Sequence, residues 1–98
     1  MTTQLETELW TSWASLLRAY TGAHGLNSAH HAVVEVGPEE IVVRVGERWL
    51  CFTHTSMRTS DDVVESFALE EDGTVLLGGS MEEMDMAAER LARELMFP

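Results

Sequence analysis

Apolar residues open the chain at helical spacing: Leu5, Leu9, Trp13, Leu16, Leu17 and Tyr20 share one stripe, with Trp10 partly off it. The pattern predicts a helix from Thr3 to Thr21. Thr3 and Glu6 have capping-box spacing, and Gly22 is suited to stop the helix in the left-handed conformation. Residues 22–28 then read as a loop.

The period next changes to two. Runs rich in Val, Ile, Trp and Phe predict strands over 30–36, 40–46 and 48–55. Val45-Gly46-Glu47-Arg48 fits a two-residue hairpin, which pairs Val45 with Arg48, Val43 with Leu50 and Ile41 with Phe52. Gly37-Pro38-Glu39-Glu40 fits a turn that pairs Val36 with Ile41 and Val34 with Val43. Both turns place Ala32, Val34, Val36, Ile41, Val43, Val45, Leu50 and Phe52 on one face, and a slip of one residue would scatter them.

The polar stretch from Thr55 to Asp62 reads as a connection. A second hairpin follows, whose three-residue loop ends on Gly73; its register pairs Leu69 with Val75, Ala68 with Leu76 and Phe67 with Leu77. A competing reading makes Ser60 the N-cap of a short helix. The last element is a helix from Met81 to Phe97, capped by Ser80 with Glu83 completing a capping box. Its core stripe is Met84, Ala88, Leu91 and Leu95, widened by Ala87 and Ala92. Glu89–Arg93 and Arg90–Glu94 are spaced as pairs on the wet side.

These elements predict one α+β domain over residues 1–98: a two-layer sandwich with both helices on one face of a five-stranded, mainly antiparallel sheet. The size and the 45% apolar content suit one core without staples. The single Cys51 excludes an internal disulfide. With no basic leader and no apolar run of about 20 residues, the expected location is the cytoplasm.

Charge narrows the partners. The net charge is −11, the six cations are all arginine, and residues 61–98 hold eleven acids against two arginines. Nucleic acids and anionic membranes, which recruit Lys and Arg, are therefore not expected partners. A basic protein partner is compatible with this charge, as for an acidic decoy or an antitoxin.

No motif fixes a chemistry. His30 and His31 point to opposite faces of a strand, and the register separates His30 from His54 by roughly 26 Å. With no C-x-x-C or H-x-x-x-H spacing, neither a metal nor a cofactor is expected. His54, beside Thr53, Thr55 and Ser56, is a candidate for a ligand pocket or a lone general base. Gly78-Gly79-Ser80 has free N–H groups for an anion, but Glu82, Glu83 and Asp85 would repel one, so the glycines are read as a turn.

The most informative feature is the reverse side of the sheet. It carries Val33, Val42, Arg44, Trp49 and Cys51 beside Glu35 and Thr53, with Val64, Ala68 and Leu76 from the second hairpin. Val33 and Trp49 flank Arg44 in a geometry that permits a cation–π contact, with Glu35 diagonally in reach. A face meant only for water would not carry a Trp and several valines. The expectation is a non-enzymatic interaction module that uses this face, as a homodimer or with a protein partner. Cys51 there reads as a small apolar filler.

Overall fold

The computed structural model describes residues 4–26 and 31–97. Two helices flank seven strands in the chain order α1 (Gln4–Gly25), β1 (Ala32–Val36), β2 (Glu40–Val45), β3 (Arg48–Thr53), β4 (Ser56–Thr59), β5 (Val64–Leu69), β6 (Thr74–Leu77), β7 (Ser80–Glu83) and α2 (Met84–Met96). Every strand pairs antiparallel with its neighbour in sequence, so the sheet is one continuous meander. The α+β class holds, and the helices pack on the sheet. The count of five strands is corrected to seven.

The predicted pairings are present. Val45 faces Arg48, Val36 faces Ile41, and Phe67 faces Leu77. Gly73, at φ 86°, takes the left-handed position of its hairpin. The two added strands arise where turn chemistry overrides the apolar pattern. β3 ends at Thr53 because the Thr53 hydroxyl accepts the N–H groups of Thr55 (3.3 Å) and Ser56 (3.0 Å), reversing the chain at His54. β4 then runs back with only Met57 buried, too little apolar content to mark a strand.

Ser60 caps no helix. Its Oγ accepts the Trp49 N–H at 3.2 Å, and the turn to β5 closes through Thr59 N–H to Val63 O at 2.9 Å. Likewise Ser80 lies in a strand and does not cap α2. Gly78 and Gly79, at φ 59° and 89°, form a two-residue hairpin that sends Ser80–Glu83 back along β6. The N-cap of α2 is Glu83, without a side-chain bond; the Gly73 carbonyl instead accepts the Met84 N–H at 3.0 Å.

The inward face of the sheet and both helices share one core. Trp13 and Leu17 of α1 and Ala87, Ala88, Leu91 and Leu95 of α2 join Ile41, Val43, Phe52, Phe67 and Val75. Trp13 meets the edge of Phe52 at 5.4 Å, and Phe67 lies 5.1 Å from Phe52. Val36, although on the core side, stays 43% exposed at the sheet edge.

Helix α1 does not stop at Gly22. Thr21, buried, donates to the Leu17 carbonyl at 2.7 Å, and a further turn brings His24 to 3.4 Å from the Glu89 carboxylate of α2. The Tyr20 hydroxyl donates to Asp85 at 2.5 Å, and the carboxylate raises the phenol above its ordinary pKa. Trp10 is corrected from the margin of the stripe to the core: it is buried, and its indole N–H donates to the Gly37 carbonyl at 2.8 Å. The predicted N-cap Thr3 lies outside the described residues.

Candidate functional site

The candidate places among the described residues are the outward sheet face, a pocket at His54, and a cleft under α2.

The outward face carries the residues expected there. In register, Val33 lies across from Arg44, Arg44 from Trp49, Val42 from Cys51, and Cys51 from Arg58, which in turn faces Val64. Ala68, Leu76 and Met81 continue the row onto β7. No described strand residue on this side is buried, and Val33, Val64 and Met81 are 54%, 65% and 61% exposed. The Arg44 guanidinium is held by Glu35 at 2.8 Å, the diagonal contact that the register implies. Cys51 is half-buried. Its partial burial, and next the Glu40 carboxylate, raise the thiol pKa, while Arg58 opposes them; a thiol raised in this way is a poor nucleophile.

His54 sits at the β3–β4 corner on the helix side, away from Cys51. Its ring stacks on Trp10 with centroids 4.1 Å apart, and Nε2 lies 2.8 Å from the Pro38 carbonyl. A carbonyl only accepts, so Nε2 carries the proton. A cavity of about 460 Å³ opens beside the ring, lined by Trp10, Glu6, Glu39, Phe67 and Leu69 among others. The Thr53 and Ser56 hydroxyls expected beside it lie 2.9 Å from each other within the turn. The structure thus brings His54 to the wall of a cavity.

The third place was not legible as a site in the sequence. A cleft of about 580 Å³ runs between α2 and the β3–β7 part of the sheet. Leu50, Met57, Leu77, Leu91 and Leu95 supply its apolar walls, and Arg48, Glu65, Glu82 and Arg90 its charges. Arg48 donates from Nε to the Leu95 carbonyl at 3.0 Å, near the end of α2, where the helix dipole favours a cation. Arg90 binds both carboxylate oxygens of Glu82, holding that carboxyl below the usual range, and reaches Glu94 at 3.4 Å.

Among the described residues no three His, Cys, Asp or Glu side chains gather closely enough to hold a metal ion, and His30 lies outside them. Gly78 and Gly79 form the β6–β7 turn, and the Gly78 N–H donates to the Ser66 carbonyl at 2.9 Å. No described helix is long and apolar enough to cross a membrane. Comparison with protein families, with curated proteins and with solved structures finds no match to the chain, which leaves its geometry to carry the functional reading.

Proposed function

We propose that this protein is a non-enzymatic interaction module that works as a homodimer through the outward face of its sheet, with Trp49, Val42, Val33, Cys51 and Arg44 in the interface. The observation that carries the reading is a sheet face on which Val33, Val42, Trp49, Val64, Leu76 and Met81 stand among polar residues, with both helices on its other side and no described strand residue of it buried.

Two features favour a second copy of the chain as the occupant. The first is charge. The strand residues on this face hold Glu35, Glu40 and Glu83 against Arg44 and Arg58, a net −1, so the other −10 of the chain's −11 lies elsewhere. Two copies therefore meet across a nearly neutral surface. The second is area. Seven strands about 4.8 Å apart, each roughly 13–20 Å long, present a face of about 500 Å² in projection. Accessible area exceeds projection, which brings each copy towards the ~800 Å² of a standard interface. Sheets packed face to face about 10 Å apart give a self-complementary two-fold dimer.

Light scattering at low and high salt, on the wild type and on Trp49→Ala, tests the reading. The expected result is a dimer that persists in high salt and falls to monomer on Trp49→Ala, with the circular dichroism spectrum retained. A monomeric wild type would overturn it.

The cavity beside His54 favours a second reading, a small-ligand site in which the Trp10–His54 stack offers a flat aromatic wall and Glu6 and Glu39 a polar rim.

A further inference from the structure

Position 65 breaks the sheet's own pattern. Across the inward column Phe52–Met57–Glu65, two buried apolar side chains are followed by a carboxylate. Two residues further along β5, Phe67 is again inward and buried. Glu65 is half-buried in the wall of the cleft under α2; its backbone pairs with Met57, but its carboxylate forms no hydrogen bond or ion pair with any described residue. Its neighbour confirms how closely it is placed: a Cβ on Gly78 would meet the Glu65 carboxylate at 3.2 Å.

An unpaired carboxylate on an inward position costs stability, and departures of this kind concentrate at functional sites. The cations nearby do not compensate it. Arg48 is bound to the Leu95 carbonyl, and Arg90 to Glu82 and Glu94. Counting Asp61, Glu65, Glu82 and Glu94 against the two arginines leaves the cleft lining at −2. Its volume of about 580 Å³ is of the size that takes small molecules, and four leucines and Met57 line one part of its mixed wall.

We propose that the cleft between α2 and the sheet binds a small organic monocation, a primary ammonium or guanidinium on an alkyl or aryl tail, with Glu65 as its counter-ion and Leu50, Met57, Leu77, Leu91 and Leu95 around the tail. A charge-assisted hydrogen bond to Glu65 gives its carboxylate the partner it lacks among the described residues. The tail lies against the leucine and methionine side of the cleft, covering the little of it that core packing leaves open. An anion of the same shape is rejected, because Glu65 would face it with like charge.

The test uses n-hexylammonium as probe, with hexanoate and hexanol as shape-matched controls, followed through the methyl NMR signals of the full chain. The expected result is saturable shifts at Leu50, Met57 and Leu91 with hexylammonium alone. Affinity should fall about tenfold in Glu65→Gln and remain unchanged in Glu71→Gln, an exposed acid of the β5–β6 loop. Thermal melts of Glu65→Gln report whether the fold is kept, and the isosteric amide is expected to keep it. Absence of saturable shifts with hexylammonium, equal binding of hexanoate, or an affinity indifferent to Glu65→Gln in the folded variant would each overturn the proposal. The cleft lies on the helix side of the sheet, so Val64→Asp on the opposite face should leave hexylammonium binding intact.

Discussion

Val64→Asp separates an apolar dimer interface from a merely exposed sheet face. Val64 is 65% exposed on β5, so the monomer loses little burial when it is replaced. Exposed substitutions of this kind usually change stability by no more than about 0.5 kcal/mol. In a dimer the position counts differently. Full burial of a valine contributes about 1.5–3 kcal/mol, of which about two-thirds, or 1–2 kcal/mol, is still available at Val64. A two-fold interface uses the position twice, so the variant forgoes roughly 2–4 kcal/mol and also has two carboxylates to desolvate. Arg58 lies directly across from Val64 and offers the new carboxylate a partner. An exposed pair of this kind returns at most about 1 kcal/mol per copy. The net loss is about 3 kcal/mol, a dissociation constant raised roughly a hundredfold. Sedimentation equilibrium over a dilution series measures it, with thermal melts as the control on folding. A wild-type dimer whose dissociation constant stays within about threefold in the folded variant would refute the assignment of this face.

Two further outcomes follow from the electrostatics. The Arg90 hydrogen bonds hold the Glu82 carboxyl below its ordinary 4.5, and Thr74 holds Asp72 below 3.8. A folded-state pKa below the unfolded one gives stability that is present above the unfolded value and lost as pH falls through the folded value. Urea midpoints should therefore decline below about pH 4.5, and Glu82→Gln should flatten that limb and cost about 1 kcal/mol at neutral pH, as expected for a partly exposed pair. For Cys51, partial burial and the Glu40 carboxylate raise the thiol pKa, so alkylation by iodoacetamide at neutral pH should be slower than for a free peptide thiol and faster in Glu40→Gln; a wild-type rate equal to the peptide's would contradict this environment.

Much of the sheet was legible because its register is local. The turns at Gly46–Glu47 and Pro38–Glu39 and the Gly73 loop fix which side chains share a face, and the buried positions Ile41, Val43, Val45, Leu50, Phe52, Phe67, Val75 and Leu77 follow from them. The inward place of Glu65 was legible in the same way, two residues before Phe67 on one strand; reading it as a site required the cleft. Trp10 shows the opposite case. Its distance from the helical stripe could be counted, but its stacking on His54 depends on where α1 crosses the β3–β4 corner, with 43 residues of sequence between the two rings.

The sequence by itself determined the α+β class, the pairings around the turns at Pro38–Glu39, Gly46–Glu47 and Gly73, the faces of the five strands they join, and the concentration of negative charge in residues 61–98, because all of these depend on neighbours within a few residues or on composition alone. Only the tertiary structure decided that Ser56–Thr59 and Ser80–Glu83 are strands. Met57 gains its burial from the core beneath it, and Ser80–Glu83 gains its backbone partners from β6, and the two gains outweigh a weak apolar pattern and a helix-capping signal. Tertiary structure also decided what is left over: an outward face with both helices on its other side, a cavity at His54, and a cleft whose inward carboxylate has no partner among the described residues. Such vacancies are differences between surfaces brought together from distant parts of the chain, and no local pattern encodes them.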